Sequence, residues 1–433
     1  MLGCKKKHPS IFYLVVKKIE HKLKILYNIF TTKTTRIFSI MLNANIVSKI
    51  LGISNVNIDK FEELGNIFNI YISTNPKQHV CPHCGRATAY IHDYRLQKIK
   101  HSVINGKPIF LILNKRRYVC LHCGKRFAEQ YSFLPKYYHS TNVLLFNILF
   151  SLSSKASFKD IAKQFHVSTN TVQRAFKLLN NPYKTTLPTV LGIDEFKGNT
   201  GGEKYNLILT DLKNNKLWDI LPSRKKTDII SYFRRFPLSE RLKVRVFVMD
   251  MTNNYCDVSW LFPNAQIVVD RYHFIRQVYW ALDNVRKRVQ KAFPDDKRLH
   301  FKHNRRFLFK EYSSLNNEQQ AVLRRMLDQN EDLYTAWSLK EWFISVKRIH
   351  KPAFAEKELH NWLNSARESN LPEFSACISA LHNWFRYIIN SYKHKFTNGF
   401  TEGMNNNIKV LKRIAYGYRN FSNFRNRILH CFG

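Results

Sequence analysis

The chain has 433 residues, 44% of them hydrophobic, which excludes wholesale disorder and leaves room for several domains with real cores. Seventy Lys and Arg against 31 Asp and Glu give a formal net charge of +39, far beyond the roughly 2–8 that solubility asks of a small domain, so a polyanionic partner is expected, nucleic acid before membrane. An aromatic content of 14% excludes a purely electrostatic, histone-like binder; no stretch reaches the roughly 18 uninterrupted apolar residues of a membrane helix, and a cytoplasmic, nucleoid-associated location is expected.

Residues 1–40 are basic, and Lys5-Lys6-Lys7 ahead of the apolar run 11–16 imitates a secretion signal. The run is too short and lacks a small-residue cleavage site, so that reading is rejected. An amphipathic run opens at Met41 and continues through Ile46, Ile50 and Leu51, which makes 1–40 an expected upstream extension with no part in catalysis.

Strands at 58–63 and 65–73 are expected to lead into Cys81-Pro82-His83-Cys84-Gly85, which is echoed by Cys120-Leu121-His122-Cys123-Gly124. Paired Cys-x-x-Cys spacing in a basic chain reads as a metal site. Each knuckle supplies two thiolates to one tetrahedral zinc ion, and the glycine relieves crowding where amides turn toward sulfur. Cys81, Cys84, Cys120 and Cys123 are the expected ligands of a zinc ribbon over 41–135, with His83 and His122 expected to be exposed and kept only as alternative ligands. Lys115, Arg116, Arg117, Lys125 and Arg126 are expected to grip the DNA backbone.

A helix-turn-helix pattern follows within 136–184: one helix at 156–165, a turn at His166-Val167, and a second helix at 168–178 capped by Ser168. Ile161, Ala162, Phe165, Val167, Val172 and Phe176 would close the pair. Ser168, Asn170, Thr171, Gln173, Arg174 and Lys177 would face a major groove.

From residue 189 the pattern becomes a mixed sheet. Strands are expected at 189–196, 205–212 and 216–221, with a hairpin turn at Asn214-Asn215, then a helix at 228–236 and a strand at 244–250. A helix near 255–262 and a strand at 265–270 come next, and about 285–390 reads helical almost throughout. Trp337, Trp342, Trp362 and Trp384 in that stretch are read as core rather than as DNA wedges. The fold class is therefore multidomain α+β: a zinc ribbon, a helix-turn-helix, and a ribonuclease-H-like mixed α/β core over 185–433 with a large all-α insertion.

Three acids give this core a chemistry. Asp194 and Asp250 each end an apolar strand, and Glu402 opens a helical run. Cutting a DNA strand requires an activated water, a stabilised phosphorane and a supported leaving oxygen, and two Mg2+ or Mn2+ ions on hard oxygen ligands supply all three. Asp194 would bridge the ions, Asp250 would hold one and Glu402 the other.

The two knuckles, the helix-turn-helix, Gly192-Ile193-Asp194-Glu195, Val248-Met249-Asp250-Met251, Asp270-Arg271-Tyr272-His273 and Thr397-Asn398-Gly399-Phe400-Thr401-Glu402-Gly403-Met404-Asn405-Asn406 together resemble the DDE transposases of bacterial insertion sequences, of the ISL3 family. The resemblance covers nearly everything from about Asn43 onward and none of 1–40. It implies that Asp194, Asp250 and Glu402 are the catalytic triad, with Asp270 and His273 in support. It also implies double-stranded DNA partners, both element ends and target, and a homo-oligomer assembled on them. Along the Glu402 helix, Asn405, Asn406, Lys409 and Arg413 follow at helical spacing, and Lys409, Lys412, Arg413 and Arg419 are expected to hold the backbone of the element's end. A non-catalytic DNA-binding regulator derived from such an enzyme is the alternative, but it has no use for three carboxylates in this arrangement.

Overall fold

The computed structural model describes residues 47–433. The expected start at Met41 and the extension 1–40 lie outside the described residues. The chain divides into two compact units, one running up to Phe150 and including Lys159–Ala175, the other formed by Ser151–Phe158 and Phe176–Gly433.

In the first unit, β1 (Asn57–Leu64) and β2 (Ile67–Ser73) form a hairpin. The short pair β3 (His79–Val80) and β4 (Ala87–Thr88) frames the first knuckle. A long hairpin follows from β5 (Ile91–Ile104) and β6 (Lys107–Val119). Its turn is Asn105-Gly106, with φ of 52° and 75°, the doubly positive geometry that matches strand twist and favours Asn-Gly. The last strand, β7 (Arg126–Ala128), adds to β6 beyond the second knuckle. The expected ribbon strands are present, but β2 also pairs in parallel with β6, giving the order β1-β2-β6-β5. Period-two burial of Ile109, Leu111 and Leu113 against Ile70, Ile72 and Ile99 makes the hairpin one face of a core.

That packing corrects one expectation. Arg116 does not reach outward for DNA: it is 4% exposed and forms an ion pair with buried Glu129 at 2.8 Å. An arginine on a buried face of a strand must find a carboxylate, because an unpaired buried charge is expensive.

Three helices follow: α1 (Asn142–Ser151), absent from the sequence reading, then α2 (Phe158–Gln164) and α3 (Thr169–Phe176). His166 turns the chain between the last two with a φ of 51°. Ser168 Oγ accepts from the Thr171 amide at 3.2 Å, the cap expected of it. Ile161, Ala162, Phe165, Val172 and Phe176 are buried, while Val167 is half-buried.

The second unit is built on a sheet of β8 (Val190–Phe196), β9 (Asn206–Asp211), β10 (Lys216–Leu221), β11 (Val246–Met249) and β12 (Gln266–Val269). Its order is β10-β9-β8-β11-β12. The first three strands are antiparallel neighbours and the last two run parallel to β8. Between β10 and β11 lie α4 (Lys226–Arg234) and α5 (Leu238–Arg241), and between β11 and β12 lies the short α6 (Asn253–Cys256). The helix read at 255–262 is thus α6 plus one 3-10 turn, Ser259–Leu261.

Alternation decides what covers each face. Leu191, Ile193, Phe247, Met249 and Ile267 pack with Ile229 and Phe233 of α4. On the other face Val190, Val248 and Val268 meet Phe396 and Phe400, and Phe196 and Ile208 meet the last two helices of the chain. A buried ion pair ties the sheet to its C-terminus: Arg425 Nε donates to Asp219 Oδ1 at 2.6 Å, and Tyr232 donates to Asp219 Oδ2 at 2.7 Å.

After β12 come α7 (Arg271–Lys291), α8 (Asp295–Phe309), α9 (Asn317–Leu327), α10 (Glu331–Lys347), α11 (Pro352–Glu368), α12 (Ser375–Asn383) and α13 (Phe385–Lys393). They share one apolar core in which Trp362 is fully buried and its indole donates to Leu339 O at 2.8 Å. Trp337, Trp342 and Trp384 pack half-buried against it, so all four tryptophans take the core role expected of them. The chain closes with α14 (Gly399–Ile414) and α15 (Phe421–Phe432). Among the described residues no helix is long and apolar enough to cross a membrane.

One buried histidine sets a pH limit on the first unit. His101 is fully buried with Nδ1 2.9 Å from Thr141 Oγ1, and burial pushes it down from 6.5 to about 4. Because the folded value lies below the unfolded one, the unfolded chain takes up the proton first as pH falls. Stability is expected to be full above about 6.5 and to decline toward pH 4, by about 3 kcal/mol in all. Denaturant titrations of the wild type and His101→Gln at pH 7.5 and 5 check this: the substitution should flatten the pH dependence.

Candidate active site

The geometry of β8, β11 and β12 puts three acids in a row. Register pairs Val248 with Gly192 and Met249 with Val269. Two residues beyond the first pair are Asp250 and Asp194, and one residue beyond the second are Asp250 and Asp270. Neighbouring strands lie roughly 4.7–4.9 Å apart, so the three carboxylates stand side by side at the C-terminal edge. They share the face that carries Gly192, whereas Glu195 points to the opposite one, where Arg224 and Tyr255 donate to it at 2.6 and 3.1 Å.

Helix α14 lies across that edge. Asn398, at its start and 1% exposed, makes three bonds there. Its amide N–H donates to Asp270 Oδ2 at 2.9 Å, and its side chain donates to Asp250 Oδ1 at 3.0 Å and to Ile193 O at 3.4 Å. One turn on stands Glu402, which is exposed. Next along the helix, Asn405 turns inward and donates to Asp194 Oδ2 at 2.8 Å. The structure therefore aligns Asp194, Asp250 and Asp270 along one strand edge, with His273 Nε2 at 3.0 Å from Asp250 Oδ2, and leaves Glu402 near enough to Asp270 and Asp250 for their charges to act on it.

Close approach of the helix depends on Gly192. A Cβ there would stand 2.4 Å from Thr210 Oγ1 and 2.9 Å from Leu212 Cδ1. Thr210 shares a buried 2.9 Å hydrogen bond with Thr401, the residue before Glu402. A side chain at 192 would break the bond that seats α14 and move the acid it carries.

Electrostatics describe a site short of positive charge. Burial, then the charge of Asp250, pushes the Asp194 carboxyl up to about 7. Burial, then Asp270 and Asp250, raises Glu402 as well. Burial works against a charged His273, but its hydrogen bond to Asp250 and that carboxylate's charge outweigh it and raise the imidazole. Beside the carboxylates, the side-chain oxygens of Asn398 and Asn405 are buried with no hydrogen-bond partner among the described residues. A cluster of hard oxygen donors that repel one another is the donor set that Mg2+ or Mn2+ satisfies.

The remaining candidates sort by exposure. Asn406, Lys409, Arg413 and Arg419 are exposed, and Lys412 donates to Lys197 O at 2.6 Å. On α3, Asn170, Gln173 and Arg174 are exposed, as is Lys177 just past its end. Thr171 is half-buried and, with Ser168, is engaged in the cap. The sequence reading gave Asn398 no positioning role and grouped Asn405 with Asn406, Lys409 and Arg413 along the Glu402 helix, without its bond to Asp194. A signal was available: two asparagines flank an acid at helical spacing, and an amide is what an adjacent buried carboxylate needs.

The four cysteines form a second centre. All four sulfurs lie within 4.8 Å of one another, with Cys81–Cys123 at 3.6 Å and Cys84–Cys120 at 3.5 Å. The two knuckles repeat each other: the Gly85 amide bonds Cys81 O at 3.0 Å and the Gly124 amide bonds Cys120 O at 2.8 Å, both glycines having positive φ. Amides of Cys123 and His122 bring the Cys120 thiol down to about 6. The Lys125 amide favours the thiolate of Cys123 too, but burial and the three other sulfurs push it up to about 12. Four thiols this close cannot all ionise without a cation, and a tetrahedral zinc ion resolves the conflict. Cys256, Cys377 and Cys431 are free thiols elsewhere.

Comparison with known proteins places both units among transposases. Residues 191–428 match the ISL3 transposase family, and 77–123 match the zinc finger of the transposases of IS204, IS1001, IS1096 and IS1165. The chain is 24% identical over 404 residues to the transposase for insertion sequence element IS1001 of Bordetella parapertussis, covering 90% of this chain and 99% of that protein. It is 22% identical over 253 residues to the transposase for IS1557 of Mycobacterium tuberculosis, covering 53% and 56%. A stretch of 110 residues is 32% identical to a Lactococcus lactis protein called an ATP-dependent protease, covering 25% of this chain and 33% of that one.

Metal analysis of freshly reduced protein is expected to find zinc at about one ion per chain, as a tetrathiolate site holds. Cys120→Ser with Cys123→Ser should remove it and unfold the knuckles. Unchanged zinc in the double variant would contradict the assignment.

Proposed function

The chain belongs to the ISL3 family of DDE transposases, and from that premise we propose that it binds the terminal inverted repeats of its own element, cleaves the DNA at the element's 3′ ends, and joins the freed 3′-OH groups to target DNA. The observation that carries this reading is the joint anchoring of the acids. One helix, α14, bears Glu402, holds Asp194 through Asn405 and holds Asp250 through Asn398.

The sheet order, three antiparallel strands followed by two parallel ones, supports a ribonuclease-H-like core over 185–433, with α7–α13 as an all-α insertion. The zinc ribbon of 41–135 and the helix-turn-helix of 136–184 serve as DNA-binding domains, and the enzyme works as a homo-oligomer on DNA. Asp194, Asp250 and Glu402 would hold two Mg2+ or Mn2+ ions, whose chemistry there would be water activation and charge neutralisation at the scissile phosphate. The protein's own groups do the rest. Asn405 and Asn398 keep the two aspartates on the strand edge in one orientation. His273 holds the second oxygen of Asp250, and Asp270 caps α7 through the Tyr272 amide at 2.9 Å while anchoring Asn398. Lys409 and Arg413, on the outward side of α14, take neighbouring phosphates as point charges. Asn170, Gln173, Arg174 and Lys177 face the major groove of the element's end, with Ser168 and Thr171 fixing the N-terminus of α3.

Sequencing the DNA that flanks the gene identifies the inverted repeats and so the substrate. On that DNA, Asp194→Asn is expected to lower cleavage by at least about a hundredfold, because it removes a metal ligand, while binding stays equal or tightens. Parallel loss of binding would mean that the residue is structural. Arg174→Ala should weaken binding to the cognate end by roughly 5–150-fold and spare random DNA. Equal loss on both would reduce Arg174 to a phosphate contact.

A further inference from the structure

Helix α7 begins at the catalytic edge and carries a feature that neither the fold nor the acids require. Tyr272, Arg276 and Trp280 recur at every fourth position, so they climb one side of the helix. The Arg276 guanidinium lies over both rings, 5.4 Å from the centre of Tyr272 and 4.5 Å from that of Trp280. The opposite side of α7, with Phe274, Val278, Ala281 and Leu282, supplies the core. Tyr272 and Trp280 take no share of that burial: they are 58% and 51% exposed.

The ladder is wired to the site. Arg276 Nη2 lies 3.3 Å from His273 Nδ1, and the other nitrogen of that ring holds Asp250. Tyr272 donates its amide to the Asp270 cap and meets the His273 ring edge-on, with centroids 5.7 Å apart. An aromatic–cation–aromatic stack thus starts beside the acids and leads away from them.

We propose that this ladder is a stacking platform for unpaired DNA bases next to the scissile phosphate. The proposal rests on the transposase reading and names the state of the substrate at that site. In a duplex the faces of the bases are hidden in the stack, and a backbone alone calls for rows of Lys and Arg rather than for rings. Only an extruded or unpaired base offers a π-face to Tyr272 or Trp280, and the guanidinium between them adds attraction to base and phosphate alike. A chain of net charge +39 brings such a strand close, and the rings then discriminate unpaired from paired.

The test measures binding of fluorescent oligo-dT and of a random duplex to the full chain without added divalent ion, and cleavage of the cognate end with the ion present. Trp280→Ala and Tyr272→Ala are each expected to weaken oligo-dT binding about tenfold, with duplex affinity within about twofold, and Trp280→Phe to keep most of it. Trp280→Ala should also slow cleavage of a fully paired end, and mismatches at the cut should restore the rate. Unchanged oligo-dT affinity, or an equal loss on duplex, overturns the proposal. So does unchanged oligo-dT affinity with lost self-association by light scattering, which would assign the face to a second copy of the chain. A wild type that cuts no DNA would overturn the transposase reading alone, since the oligo-dT series is decided without cleavage.

Discussion

The attachment of α14 to the ends of three strands is the constraint on which the candidate site depends. Asn398 joins the backbone of that helix to Asp270 and its side chain to Asp250, and Asn405 closes the same contact onto Asp194. Carboxylates on adjacent strands repel at this spacing, and burial strengthens the repulsion. Neutral amide donors keep each acid in place without adding a positive charge that would compete with a metal ion. The arrangement therefore stays open to cations while fixing the geometry of their ligands.

Seating the helix so close needs room, and the room comes from absent atoms. Gly192 leaves space for Thr210, whose hydroxyl meets Thr401 one residue before Glu402. Phe396 and Phe400 cover the valines that precede the acids on the same face. Core packing and acid placement are consequently one problem: the residue pattern that buries this face of the sheet also delivers Asp194, Asp250 and Asp270 to its edge.

The charge of the chain is distributed by role. Arginines on buried faces are spent on structure, as Arg116 is with Glu129 and Arg425 with Asp219. Those on helix exteriors, such as Arg174 and Arg413, remain exposed. In a chain with +39 of formal charge, composition alone cannot tell the two apart. Desolvation can, because a buried cation must replace its water with a carboxylate or, as Arg427 does, with backbone carbonyls.

Several features were legible in the residues themselves because they are local. Cys-x-x-Cys-Gly knuckles dictate their own turn and thiolate pair, apolar runs name the strand that carries Asp194 and the strand that leads to Asp250, and Ser168 announces the start of α3. Strand and helix identities along 189–270 followed from periods of two and three to four. Tertiary structure decided what depends on partners distant in the chain. The parallel pairing of β2 with β6, the burial of Arg116, the inward turn of Asn405 and the exposure of Tyr272 and Trp280 each depend on which face of an element another element covers. A sequence lists the side chains on a helix, but only packing chooses the face, and the acids of this site lie together because register across β8, β11 and β12 aligned them.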